Sequence, residues 1–371
     1  MTKLLIFHPT IAPYRIDFFN DLSRAFDARV CLKYWNLREQ TFDYEKIYSR
    51  FTFKPVYLKE RFKCLGRSFC SGYWKQLDEF QPKIVMTEEF GIGTMSVLLH
   101  RFWKRKNYKV VTLCDDSYNM VAERNDFSWL HRIARKLIAP WLDEIIVVEP
   151  KTELWYRNHY DKGFCFPIIK DEERARMEYR EVLDWSRRIS HKCSLEGKKV
   201  FLFVGRLVSL KNVATIIRAF AELNQQENKL VIIGDGPERE TLRLLSEELK
   251  INVLFTGHLE GDELVVWYNI ATALVLASYQ EAFGAVTNEA LLAGCYVLVS
   301  KKAGSACLVE PGVNGYTFNP MNEEELVVAM KKVRDCPITY DRDGLKKNLM
   351  WISYRSCLKR LITHLNQLAH E

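Results

Sequence analysis

The chain has 371 residues, 48% of them apolar and 27% charged, with a net charge of +7. That length exceeds what one hydrophobic core usually supports and predicts two domains, and the ordinary composition excludes a disordered, collagen-like or low-complexity chain. No run approaches the roughly 18–20 apolar residues needed to span a bilayer, and the opening apolar run Leu4–Phe7 is too short for a signal peptide and is broken by His8 and Pro9, so a cytoplasmic protein is expected.

The first half reads as strands alternating with helices. "KLLIFH" (3–8) is a buried strand, "TIAPYR" a loop with Pro13 suited to a first helical turn, and "YRIDFFNDLSRAF" a helix with Ile16, Phe19, Leu22 and Phe26 on one face. "ARVCLKYW" is the next strand, and 36–76 is irregular and aromatic-rich. Strands at 83–88, 109–114 and 143–149 follow, with a helix over about 93–105 between the first two. Such alternation implies a parallel sheet covered by helices on both faces.

Residues 168–197 are highly charged and read as a connection plus the first helix of a second domain. A second βα array then runs from "KKVFLFVGRL" (198–207) through "NKLVIIGDGPERETLRLLSEEL", "NVLFTGHL", "TALVLAS" and "CYVLVS" to the helix "EEELVVAMKKV", and the chain closes with an amphipathic helix over 354–369. The expected division is 1–167 with 354–371 folded back on it, and 168–353, with a cleft between the two as the ligand site.

Charge and cysteines add partner and compartment. Residues 1–167 carry 27 basic against 20 acidic residues, while 168–371 are balanced. The basic excess is densest in "HRFWKRKNYK" (100–109), which suits an anionic membrane surface or a phosphorylated acceptor, or is a solvated helix end. Nothing resembles a nucleic-acid module, so nucleic acid is not expected as a partner. The ten cysteines show neither C-x-x-C nor zinc-finger spacing and read as free thiols, with no metal.

Candidate site residues sit after the second array's strands, where open α/β sheets bind ligands. Gly205 permits close backbone approach, and Arg206 with Lys211 offers a guanidinium and an ammonium suited to a diphosphate, or two surface cations. In "GDGPERE" Arg239 stands where a dinucleotide fingerprint needs glycine, so that reading is poorly supported. Gly257 and His258 are placed to meet a nucleobase, though a loop histidine is commonly just surface. "SYQEAFGAVTNEALLAG" (278–294) carries Glu281 and Glu289 seven residues apart, with Phe283 and Gly284 between them. A helix starting near Phe283–Ala285 would aim its free N–H groups at an anion, and the carboxylates suit sugar and ribose hydroxyls.

"FVGRLVSLKN", "LVIIGDGPERETL", "VLFTGHL", "YQEAFGAVTNEALLAGCYVLVSKKAGS" and "EPGVNGYTF", in this order over 201–318, resemble the retaining, nucleotide-sugar-dependent glycosyltransferases of family 4. The resemblance implies a GT-B fold, two Rossmann-like α/β domains with parallel sheets facing across a cleft. The first domain would bind the acceptor and the second the nucleotide-sugar donor. It places Arg206 and Lys211 on the donor diphosphate, Glu281 on the transferred sugar and Glu289 on the ribose. The backbone at Phe283, Gly284 and Ala285 would touch phosphate or sugar, and Gly257 and His258 the base. The first half matches loosely: "HPTIAPYR" lacks a glycine, leaving Ala12 and Pro13 to present backbone near the donor phosphate. In "VVTLCDDSY", Asp115 or Asp116 orients an acceptor hydroxyl, or the pair caps a loop. "FHPTIAPYRIDFFNDL" also resembles bacterial surface-polysaccharide members.

The expected activity is transfer of a sugar from a nucleotide-diphosphate donor to a hydroxyl of a glycan or lipid-linked glycan, with retention and without a cofactor or metal. Capsule, exopolysaccharide or lipopolysaccharide assembly is the expected setting, at the inner membrane face. The alternatives are a nucleotide-sugar-binding subunit without catalysis and another GT-B enzyme such as a nucleotide-sugar 2-epimerase.

Overall fold

The computed structural model describes residues 1–35, 44–64, 67–123 and 128–371. The irregular reading of 36–76 therefore falls partly outside the described residues, at 36–43 and 65–66. Two compact units emerge, Met1–Ile168 together with Arg355–Glu371, and Ile169–Tyr354.

The first unit contains strands β1 (Lys3–His8), β2 (Asp27–Leu32), β3 (Val56–Tyr57), β4 (Lys59–Cys64), β5 (Arg67–Ser71), β6 (Ile84–Glu88), β7 (Lys109–Cys114), β8 (Glu144–Val147) and β9 (Phe164–Cys165). Seven of them form a parallel sheet in the order β3-β2-β1-β6-β7-β8-β9, and β4 and β5 pair apart from it as an antiparallel hairpin. Leu4, Leu5, Ile6, Val110, Val111 and Ile145 are wholly buried, as strands covered on both faces require. Pro13 opens a 3-10 turn, Pro13–Arg15, that leads into the helix Ile16–Ala25. Its fixed φ suits this place, and its missing N–H is one a first turn leaves unsatisfied anyway.

The last helix, Tyr354–His370, belongs to this unit from Arg355 onward. The His364 ring stacks on Phe164 with centroids 4.6 Å apart. Its Nε2 lies 2.6 Å from Glu144 Oε2, and Thr2 Oγ1 donates to Asn366 Oδ1 at 2.9 Å.

The second unit holds a six-stranded parallel sheet of β10 (Lys199–Val204), β11 (Asn228–Ile233), β12 (Val253–Gly257), β13 (Ala273–Leu276), β14 (Tyr296–Ser300) and β15 (Gly315–Phe318). Its order is β12-β11-β10-β13-β14-β15. The charged stretch before it forms two helices, Glu172–Glu181 and Leu183–Lys192 rather than one. Asp171 caps the first of these by accepting from the N–H groups of Glu173 and Arg174 at 3.1 and 3.0 Å.

Each sheet has a point where the chain reverses its direction of growth. In the second unit the strands run outward from β10 to β11 and β12, and then resume on the other side of β10 with β13. In the first unit the same reversal falls between β1 and β6. Loops leaving the carboxyl ends of two such strands diverge and open a crevice. Among the described residues no helix is long and apolar enough to cross a membrane. The nine cysteines whose side chains are described are free.

Candidate active site

Three glycines stand side by side at the ends of β10, β11 and β12. Gly205 N donates to Ile233 O at 3.0 Å, and Gly234 N donates to Gly257 O at 2.8 Å. Gly234 has a φ of +137°, and a Cβ there would run into the Gly205 carbonyl. Only glycine lets these loops approach so closely.

Past Gly205 and the exposed Arg206, residues Ser209–Lys211 make a 3-10 turn that ends at Asn212, with φ 55°. The buried Asn212 amide donates to the carbonyls of Ala277 at 3.3 Å and Pro320 at 3.1 Å, and Tyr279 N donates to Leu210 O at 2.9 Å. These bonds fasten the loop after β10 to the segments that follow β13 and β15. Lys211 Nζ there donates to the carboxylate of Glu281, which also accepts from Ser278 Oγ at 3.2 Å. The two side chains are only 19% and 16% exposed, so the pair sits in a recess with a path to solvent.

The helix after Glu281 runs Val286–Leu292, later and shorter than expected from the sequence. Gly284 is the reason: its φ of +92° is left-handed and lies outside a right-handed helix. A Cβ on Gly284 would stand 3.1 Å from Ser305 Oγ and 3.3 Å from Glu281 Cγ, so this backbone lies against the Glu281 side chain. Phe283 turns its ring into the core and is 2% exposed, leaving its backbone for any ligand. Ala285 precedes the helix as its N-cap. Glu289 is engaged elsewhere, accepting from Tyr268 OH at 2.9 Å and lying 3.8 Å from Lys170 Nζ. His258 is largely exposed, 3.9 Å from Glu260.

The switch point of the first unit holds charge that no motif announced. His8 ends β1, Glu88 ends β6, and His8 Nε2 lies 3.8 Å from Glu88 Oε1. Burial, aided by Arg15, lowers His8 to about 3, so the imidazole is neutral and donates from Nδ1 to Thr10 O at 2.6 Å. Burial raises Glu88 to about 7; Lys33 and Arg15 oppose the shift and Asp115 adds to it. Ala12 is buried and its carbonyl accepts from Arg15 N at 2.9 Å; with Pro13 it builds the turn that presents Arg15.

The two aspartates divide. Asp115 is ion-paired with Arg15 and its side chain is 41% exposed. Asp116 is 1% exposed; it accepts from Arg135 Nη1 at 2.9 Å and Tyr156 OH at 2.8 Å, and lies 3.2 Å from His131 Nε2. Against the cost of burial, His131 and Arg135 hold its carboxyl below the ordinary range. Asp116 is thus a framework group with its oxygens committed. Among the described residues Glu89, Cys114 and Asp116 bring potential metal-ligating atoms within 4.8 Å of one another. The donor set is poor, since burial pushes the Cys114 thiol well up and Asp116 is already satisfied.

Residues 187–350 match the family model Glycosyl transferases group 1. This region contains Gly205, Arg206, Lys211, Gly257, His258 and the whole stretch from Glu281 to Glu289. An uncharacterized glycosyltransferase of Methanocaldococcus jannaschii is 34% identical over 157 residues, 41% of this chain and 40% of that one. Lipopolysaccharide 1,2-N-acetylglucosaminetransferase of Salmonella typhimurium is 30% identical over 145 residues, 36% of this chain and 38% of its own. The chain thus spans about two fifths of the length of these curated relatives. Across the whole length, the Anabaena protein HepE solved with UDP superposes with a TM-score of 0.75, covering 99% of this chain and 100% of that one at 16% identity. That likeness shows the fold: two parallel-sheet α/β domains of the GT-B class, the second of which carries the stretch that matches the group 1 model.

Proposed function

We propose that the chain is a retaining glycosyltransferase that moves a sugar from a nucleoside-diphosphate sugar to a hydroxyl of a glycan or lipid-linked glycan. The observation that carries this reading is the Lys211–Glu281 pair at the switch point of the six-stranded sheet. A cation for a leaving diphosphate and a carboxylate for sugar hydroxyls stand there in contact. Lys211 and Arg206 neutralise the diphosphate as the bond from its oxygen to the anomeric carbon breaks, and no divalent metal is needed for that charge. The acceptor oxygen attacks from the same face, and its proton passes to the departing phosphate oxygen. Glu281 orients the transferred sugar, Glu289, one oxygen of which is held by the buried Tyr268 hydroxyl, offers the other to the ribose, and the backbone at Gly284 and Ala285 meets phosphate. The loop of Gly257 and His258 lies by the base, for which uracil is favoured by the UDP in the Anabaena structure. The first unit takes the acceptor through Asp115 and Glu88, with Ala12 and Pro13 supporting Arg15. The Salmonella relative and the resemblance of residues 7–22 to surface-polysaccharide members favour bacterial capsule, exopolysaccharide or lipopolysaccharide assembly, next to an anionic membrane surface.

The test is the melting temperature of the purified chain with UDP-, GDP- and ADP-sugars, followed by NMR of the product's anomeric proton. A donor at a hundredfold excess over its Kd stabilises by about 2.7 kcal/mol. Melting unchanged by every donor would sink the reading. Stabilisation without turnover would leave a binding subunit, and donor conversion without acceptor an epimerase.

A further inference from the structure

Helices on the surface of a globular protein ordinarily turn polar side chains outward. Two helices of the first unit do the reverse. On Ile92–Trp103 the residues Met95, Leu99, Phe102 and Trp103 recur at helical spacing and are exposed, the last two at 79% and 76%. On Trp129–Ile138 the residues Trp129, Leu130, Ile133 and Leu137 do the same, and Trp141 just beyond is 66% exposed.

The two stripes share one face of the sheet. Val97 of the first helix and Ile138 of the second bury into the same core cluster. β6, β7 and β8 are neighbours in chain order, so right-handed crossovers put both helices on the same side. Arg101 ties their ends together by pairing with Asp143 and donating to the carbonyl of Trp141.

Charge names the partner. Residues 92–109 and 128–142 contain no aspartate or glutamate. Lys104, Arg105 and Lys106 are exposed where the first stripe ends, and Lys136 is exposed beside the second. A two-fold contact between copies would set these cations against their own counterparts with few carboxylates to meet them, since Asp143 is paired with Arg101 and Asp78 lies against His100. An anionic bilayer meets both features: tryptophan and phenylalanine settle at the headgroup level, and lysine and arginine gain from the surface potential. We propose that this face is a docking surface for an anionic lipid bilayer, on which the chain lies without crossing it. The inference deepens the membrane setting of the reading above, and vesicle binding is read without any sugar transfer, so either can fail alone.

The experiment is sedimentation of the full chain with vesicles of phosphatidylcholine alone and with about one-quarter phosphatidylglycerol. The chain should pellet with the mixed vesicles, and added salt should weaken that binding. Phe102→Ser with Trp103→Ser should weaken it by about tenfold or more, because the apolar area entering the interface is lost. Lys104→Gln, Arg105→Gln and Lys106→Gln together should cost about a hundredfold on the anionic vesicles. All five side chains already face solvent, and unchanged thermal melting will show that the variants fold. Absence of pelleting with mixed vesicles, or variants that bind as the parent does, would overturn the proposal. So would a dimer in analytical ultracentrifugation that Trp103→Ser dissociates.

Discussion

The ammonium of Lys211 donates to the carboxylate of Glu281, although 70 positions separate them in sequence and they leave the sheet on opposite sides of its switch point. In the proposed reaction a diphosphate arriving there would compete for the ammonium and free the carboxylate to receive sugar hydroxyls. The pair therefore works as one unit, and its members should be strongly non-additive. Lys211→Ala is expected to lower kcat by about 10²–10³-fold, the range for removing one preorganised charge-stabilising donor. Glu281→Gln should also be severe, and the double variant should lose less than the product of the two. A full cycle of kcat/KM values checks this, and simple multiplication of the losses would contradict it.

The second array was readable because its signals are local. The apolar runs of β10, β11 and β12 end at Gly205, Gly234 and Gly257, and Gly284 punctuates the loop between β13 and the next helix. The four-residue β15 was not read, being short and framed by turns. In the first unit the helices Trp129–Ile138 and Pro150–Tyr160 escaped for opposite reasons. One points several of its large apolar residues outward, and the other buries little beyond Thr152 and Tyr156. His8 and Glu88 carry no motif, and their meeting is a product of β1–β6 register that pairs residues 80 positions apart. Adjacent aspartates look alike in sequence, yet successive residues leaving a strand turn to opposite sides, so Asp115 and Asp116 end in different surroundings.

That division predicts two distinct phenotypes. Asp116→Asn breaks the ion pair with Arg135, whose two side chains are only 1% and 3% exposed, and removes the charge that His131 and Tyr156 also face. The expected loss is about 3–5 kcal/mol of stability, as for breaking other buried pairs. Asp115→Asn removes a carboxylate that is 41% exposed from an Arg15 side chain that is 8% exposed, so it should cost less than Asp116→Asn, about 1–2 kcal/mol. Its effect should fall on kcat/KM for the acceptor. Urea unfolding midpoints for the two variants, compared at equal slope, decide it, and equal destabilisation would reject the framework role of Asp116.

Gly284→Ala tests how tightly the Glu281 loop is packed. A methyl there is strained by a φ of +92° and presses on Leu276 and Ser305. Gly197→Ala is the matched control, with a φ of +74° and no atom within 4 Å of the added carbon. Both carry the backbone penalty, about 1–3 kcal/mol, and the excess at Gly284 reports crowding alone. Gly284→Ala should be the less stable variant in denaturant and should raise KM for the donor, while Gly197→Ala leaves KM unchanged. Equal stability of the two would mean that the loop yields to the methyl.

Glu88 ties stability to pH with a definite sign. Burial raises its carboxyl from the ordinary 4.5 to about 7 in the folded chain, so over that interval the native state holds a proton that the unfolded chain has released. Its stabilising share is present below pH 4.5 and is lost as pH rises through about 7. His8 acts in the opposite direction: lowered from 6.5 to about 3, it favours the fold above 6.5 and withdraws that support as pH falls. Glu88→Gln removes the first effect and keeps the second, so the difference between variant and parent isolates the carboxyl. The stability of Glu88→Gln relative to the parent should climb from pH 5 to pH 8 and level off above that. In the same variant, activity should fall at every pH, and the parent's acid limb near pH 7 should disappear from kcat/KM, as expected when a carboxylate must be ionised to receive the acceptor hydroxyl. A stability difference that stays flat across that range would mean that the Glu88 carboxyl titrates alike in the folded and unfolded chain, and would remove it from the proposed acceptor site.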